Sequence, residues 1–250
     1  MTDFVYGYHA VEAVLQHATS RARCLWVVAK GEKRLEKIIA EAKEGGVLLK
    51  KVSREELEAK FSDLGAHQGL VLEVKPASVY GEGELEGLVS AALEQKGRVT
   101  VLALDEVQDP RNLGACLRSA AAYGVDVVVI PKRRTATLTP TAEKVACGGA
   151  VFVPLVAVTN LVRSLKALQA QGLWVVGTSL DATQDLSDID LTGSVVIVMG
   201  SEGEGVRQLT EKTCDYLAKI PMSGVLPSLN VSAATTVCLY EQFQQQKKKK

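Results

Sequence analysis

The chain has 250 residues, 47% of them hydrophobic, enough for one large core or two modest ones. Its 29 basic and 29 acidic residues cancel, so no global positive field argues for a nucleic-acid partner and only local patches can carry one. No apolar run approaches the ~20 residues that span a bilayer, and the start "MTDFVYGYHAVEAVL" lacks a basic leader followed by an apolar segment, so the expected setting is the cytoplasm with no membrane association.

From the amino terminus, "CLWVVA" reads as a strand, "EKRLEKIIAEAKEGG" as an amphipathic helix closed by glycine, and "VLLKKV" as a strand. "REELEAKF" follows as a short helix and "GLVLEV" as a last strand, completing a small α/β unit over residues 1–74. The glycine-rich, weakly periodic stretch from Lys75 to Gly97 is the expected linker. Beyond it, "RVTVLAL", "VDVVVI", "LWVVGT", "SVVIVM" and "YLAKI" are apolar runs without polar alternation, as in parallel strands buried on both faces. Helical patterns over 112–123, 139–148, 159–171, 204–213 and 228–243 separate most of them, which makes a doubly wound sheet the default for residues 98–250. Five scattered cysteines without a CxxC pair indicate reduced thiols, and three scattered histidines argue against a metal cage. The closing "KKKK" reads as a solvated, disordered tail.

Ligands of such sheets gather at the carboxyl ends of the strands, and there three segments stand out. "GSEGEGVRQLT" follows "SVVIVM" but fits neither G-x-G-x-x-G nor a phosphate loop, since no Gly-Lys dipeptide occurs. Taken alone, Gly200, Gly203 and Gly205 make an ordinary tight turn, with Glu204 near the amino end of the next helix. In "LDEVQDPRNLGACLRSAAAYG", Asn112 is suited to cap a helix whose apolar stripe is Leu113, Cys116, Leu117, Ala120 and Ala121. Arg118 falls off that stripe among small neighbours, which leaves its guanidinium accessible to a phosphate. In "IPMSGVLPSLNVSAATTVCLYE", Ser228 and Asn230 are candidate helix caps after a loop of small and hydroxyl residues. This loop and the glycine loop would lie together if the strands before them pair.

"DPRNLGACLRSA", "VMGSEGEGVRQLT" and "IPMSGVLPSLNVSAAT", in this order and with Asn112 and Arg118 at N-x5-R spacing, resemble the signature motifs of the SpoU/TrmH family of RNA 2'-O-ribose methyltransferases, in the SPOUT superfamily. "YGYHAVEAVL", "HQGLVLEVKP" and "EKVACGGA" extend the resemblance over nearly the whole chain, toward the bacterial large-subunit rRNA (guanosine-2'-O) branch. The resemblance implies an α/β fold with an L30e-like amino-terminal RNA-binding domain and a carboxy-terminal trefoil-knot methyltransferase domain. It also implies a homodimer, S-adenosylmethionine (SAM) as cofactor and 23S rRNA as substrate. By motif match the catalytic candidates are Arg118, Asn112, Glu202, Ser228 and Asn230, and the cofactor candidates Thr178, Gly200, Ile220, Met222 and Leu229. The alternatives are a tRNA ribose methyltransferase of the same family and a non-catalytic RNA-binding protein. "RCLWVVAKGEKR" and "PKRRT" are the candidate RNA-contact stretches.

Overall fold

The computed structural model describes residues 3–29, 33–64, 67–76, 78–201 and 205–248, with Lys33 in backbone only. The amino-terminal unit runs β1 (Asp3–Tyr6), α1 (Tyr8–His17), β2 (Ala22–Val28), α2 (Lys33–Glu44), β3 (Leu48–Val52), α3 (Arg54–Lys60) and β4 (Leu70–Val74). Its four strands order β1-β4-β2-β3, with β2 and β3 parallel and the other pairs antiparallel. Val11, Val14 and Leu15 of α1 and Leu35 and Ile38 of α2 bury one face of the sheet, while Leu57 of α3 and Phe61 cover the other. Ser53 and Glu56 start α3 with a capping box: the Ser53 hydroxyl accepts from the Glu56 amide at 3.1 Å, and the Glu56 carboxylate accepts from the Ser53 amide at 3.0 Å.

The expected linker is built differently from residue 80 on. Here lie β5 (Tyr80–Gly81) and α4 (Leu85–Lys96), and β5 pairs with the far edge of the larger sheet. Leu85 and Val89 are buried in the larger core, with Leu88, Ala92 and Leu93 packed beside them. That i, i+3, i+4, i+7, i+8 stripe is helical, but Gly81, Gly83 and Gly87 give the stretch a loop's composition. Residues 75–79 alone connect the two sheets.

The larger unit continues β6 (Thr100–Leu104), α5 (Pro110–Ala122), β7 (Val127–Pro131), α6 (Pro140–Ala146), α7 (Gly149–Phe152), β8 (Leu155–Val158) and α8 (Leu161–Ala170). It ends with β9 (Trp174–Thr178), β10 (Gln184–Asp185), β11 (Val195–Met199), α9 (Gln208–Glu211), β12 (Tyr216–Lys219) and α10 (Val231–Lys248). Eight parallel strands order β10-β12-β9-β11-β6-β7-β8-β5. Every residue of β6, β7 and β11 is buried, as their unbroken apolar runs require. Helices α5 and α10 cover one face and α4 and α8 the other. From β6 the chain winds outward through β7 and β8, then crosses to build β9, β11 and β12 on the other side, so the winding reverses between β6 and β11. Clefts form at such reversals.

Three expectations are corrected. Strands β11 and β12 do not pair, because β9 lies between them. The cap of α5 is Asp109, whose carboxylate accepts from the Arg111 amide at 2.8 Å with Pro110 in the first turn, so Asn112 lies inside the helix. The lysine tail is helical as far as Lys248, where positive charge suits the carboxyl end of α10.

The two units touch through α6 and α7. Arg21 pairs with the buried Glu143 at 2.9 Å, Lys144 sits 4.4 Å from the Tyr6 ring centre, and the His17 and Phe152 rings are 4.6 Å apart. Burial pushes the Glu143 carboxyl above its ordinary pKa, opposed by the Arg21 guanidinium. Between the helices Gly148 has φ +91° and backs onto Ala13 so closely that any side chain there would collide with it.

Candidate active site

The ends of β12, β9 and β11, adjacent in the sheet, carry Ile220, Thr178 and Gly200. Thr178 is half-buried and its hydroxyl donates to the Val198 carbonyl at 3.1 Å, fixing the end of β9 to β11. Gly200 is fully enclosed: a methyl group there would overlap the backbone of Gly205 and Val206. Ser201 and Gly205 close the loop on itself with amide-to-carbonyl bonds of 3.0 and 3.1 Å. Glu202, Gly203 and Glu204 lie outside the described residues.

Ile220 packs on the main core, and after it residues 221–230 are all exposed, Met222 at 38% and Leu229 at 37%. Ser228 is in this exposed run. Asn230 ends it by capping α10, its side-chain oxygen accepting from the Ser232 amide at 2.9 Å and the Ser232 hydroxyl at 2.6 Å. Its amide nitrogen donates to Asn112 Oδ1 at 3.1 Å. Asn112 and Asn230, 118 positions apart, are thus in direct contact. Behind them α5 and α10 are joined by Ser119 and Thr236 hydroxyls at 2.7 Å and by Cys116 Sγ and Thr235 Oγ1 at 3.4 Å. Burial pushes the Cys116 thiol up to about 11, against its hydrogen bond with Thr235, and the Cys238 thiol up to about 12, so neither is a nucleophile at neutral pH.

Arg118 is exposed on α5, as a residue off the apolar stripe must be. Its Nη1 donates to Cys147 Sγ at 3.5 Å. Cys147 has φ +49°, at the junction of α6 and α7. The guanidinium has an acceptor too weak to neutralise it, and it remains available to a phosphate oxygen.

The sequence reading missed Asp105, Glu106 and Arg207. Arg207 Nε reaches Asp105 Oδ1 at 2.8 Å, its Nη1 reaches Glu106 Oε1 at 3.0 Å, and its backbone amide donates to Asp105 Oδ2 at 3.1 Å. Asp105 is completely buried and Glu106 has φ +61°. Burial pulls the Arg207 pKa down, but its bonds to Asp105 and the two carboxylates outweigh this and hold it above the ordinary value. This ion pair joins the loop after β6 to the loop after β11. A carboxylate pair directly after a buried strand was the available signal; nothing local pointed to the arginine about a hundred positions away.

Among the described residues no cluster of three or more metal-ligating side chains occurs, and no helix is long and apolar enough to cross a membrane.

Comparison with known proteins agrees with this architecture. Residues 99–240 match the model of the SpoU rRNA Methylase family, and residues 4–80 match that of RNA 2'-O ribose methyltransferase substrate binding. The 23S rRNA (guanosine-2'-O-)-methyltransferase RlmB of Pseudomonas putida is 49% identical over 247 residues, covering 98% of each chain. The protein of the same name from Escherichia coli K12 is 46% identical over 98% of this chain and 99% of its own. In fold, the SpoU methyltransferase AviRb from Streptomyces viridochromogenes, solved with AdoMet, superposes with a TM-score of 0.79 at 22% identity, over 99% of this chain and 91% of its own. With both sheets and nearly every residue accounted for, the chain belongs to the SpoU methylase family.

Proposed function

We propose that this chain is a SAM-dependent RNA methyltransferase that methylates the ribose 2'-hydroxyl of a guanosine in 23S rRNA. The identity of 49% over 98% of each chain to a relative of that activity supports the substrate class. The observation that carries the chemistry is the contact of Asn112 on α5 with Asn230 at the start of α10, two motif residues 118 positions apart, in a sheet whose adjacent strands β12, β9 and β11 end in the other motif loops.

The residues suit SAM. Ile220, Met222 and Leu229 offer apolar walls, and the exposed 221–230 backbone offers main-chain donors and acceptors for the polar edge of an adenine. The enclosed Gly200 and Thr178 form the floor. Bound there, SAM supplies an activated methyl carbon, and the ribose oxygen that takes it develops negative charge as its proton leaves. Arg118 acts as a fixed cation and not as a base. It clamps an RNA phosphate and stabilises the developing oxyanion, while the proton passes to water or a phosphate oxygen. Asn112 and Asn230 hold each other and orient the ribose. Ser228 contacts nucleotide or cofactor from the exposed loop, and Glu202 is assigned a positioning role by motif match.

We further propose a trefoil knot at the 200–230 loops, a cytoplasmic setting, and a division into a substrate-binding unit over 1–74 and a catalytic unit from 98 onward, with 80–97 serving the catalytic sheet. A homodimer is supported by Val237 (40% exposed), Tyr240 (50%) and Phe243 (39%) on the outer face of α10, an apolar strip edged by Tyr123.

Mapping 2'-O-methylation after incubation with SAM and either 23S rRNA or tRNA tests the reading. Modification of a guanosine in 23S rRNA is expected, and modification of tRNA alone would overturn the substrate. Arg118→Ala should lower kcat by about 10²–10³-fold. Calorimetric SAM affinity should stay near wild type; a parallel loss of affinity would refute the clamp.

A further inference from the structure

The loop after β7 carries Lys132, Arg133 and Arg134, all exposed. Among the described residues none of these side chains has a carboxylate or hydrogen-bond partner. Elsewhere on the surface, Lys37 pairs with Glu12, Arg163 with Glu82 and Lys96 with Asp126. The acids at the same sheet edge are engaged, Asp105 and Glu106 by Arg207 and Asp109 by the amide that starts α5. Three adjacent cations without counter-charge repel one another, and a polyanion relieves that repulsion.

The loop is also held in place. The Lys132 amide donates to the Val158 carbonyl at 2.8 Å. The Thr135 hydroxyl and the Ala136 amide both donate to the Val107 carbonyl, at 3.0 and 2.8 Å. Arg134 sits at φ +56°, a conformation uncommon for a non-glycine residue. Val107 stands two residues before Asp109, the cap of the helix that bears Asn112 and Arg118. The cations are therefore fixed to the catalytic edge of the sheet.

We propose that Lys132, Arg133 and Arg134 form a phosphate-binding ridge that grips the RNA backbone flanking the target ribose. The ridge rests on the reading of the site as an RNA methyltransferase centre, and it assigns to the catalytic unit a share of RNA affinity independent of the amino-terminal unit. It contacts phosphates, so it contributes affinity and register without reading sequence.

The test uses the full chain and transcribed 23S rRNA. The triple variant Lys132→Gln, Arg133→Gln, Arg134→Asn removes the charges, and asparagine tolerates the left-handed backbone at 134. Each lost phosphate contact should flatten the plot of log affinity against log salt by about 0.7–0.9, so the triple variant should lose about 2 in slope. RNA affinity at about 0.1 M salt should fall by on the order of a hundredfold, while kcat at saturating RNA and SAM affinity remain at wild-type values. Lys166→Gln, an exposed charge on α8, is the control and should leave the slope almost unchanged. An unchanged slope in the triple variant overturns the ridge, as does a slope loss matched by the control. Wild-type protein that binds rRNA but methylates nothing would sink the enzymatic reading, while the slope comparison still decides the ridge.

Discussion

The loop after β6 and the loop after β12 leave the same edge of the parallel sheet and are held in opposite ways. The first is locked: Asp105 is fully buried, Glu106 is in the left-handed region, and Arg207 from the loop after β11 bonds both. The second is open, with every residue from 221 to 230 exposed, including Val225 at 85% and Leu226 at 64%. A buried carboxylate without its cation costs several kcal/mol, so the first loop has one arrangement whenever the protein is folded. The second leaves apolar surface of the kind that ligands and partner subunits cover. On the proposed reading, the locked side presets the geometry for chemistry, and the open side takes its final form around the cofactor.

Three substitutions test this contrast. The largest effect is expected from Gly200→Ala, because the added methyl overlaps backbone atoms of Gly205 and Val206 that no rotamer change can move. Keeping the loop would cost more than about 4 kcal/mol, so it should rearrange and lose SAM binding by calorimetry while circular dichroism stays native. Retained SAM affinity would show that the locked side does not shape the cofactor pocket. Next, Arg207→Ala leaves Asp105 buried and unpaired. We expect destabilisation of about 3 kcal/mol in chemical denaturation, the low end for one-sided loss of a buried ion pair because the arginine is 42% exposed. A loss below about 1 kcal/mol, within the range of a surface pair, would remove the distinction between the two loops. The smallest effect belongs to the open side: Asn230→Ala deletes the α10 cap and the bond to Asn112, for about 1 kcal/mol of stability. Activity should fall further than stability explains, with kcat reduced at saturating RNA; an unchanged kcat would reduce Asn230 to a helix cap.

Much of the fold was legible where burial is symmetric. "VLAL", "VVVI" and "VVIVM" are strands because each residue faces a helix layer on one side or the other. Strand β8 escaped because it is only four residues long, Leu155–Val158, set between two helices, and β5 and β10 have two residues each. The cap of α5 was misplaced on Asn112 although Pro110 marks a first helical turn and so points back to Asp109. Motif spacing proposed Asn112, Arg118 and Asn230 as site residues, whereas the Cys147 contact to Arg118 and the Arg207 bonds to Asp105 and Glu106 had no sign in it. Those contacts join segments with no shared periodicity, and no local pattern encodes a partner that distant.

The sequence by itself determined the longer buried strands, which of their ends carry glycine and hydroxyl loops, and that Arg118 lies off the apolar stripe of its helix. These follow from side-chain sterics and periodicity within about a dozen residues. Only the tertiary structure decided that β9 enters between β11 and β12, putting Thr178 between the two loops, and that Arg207 neutralises Asp105. Strand order is set by how whole faces bury against helices, and a buried charge finds its partner only once the core has excluded water.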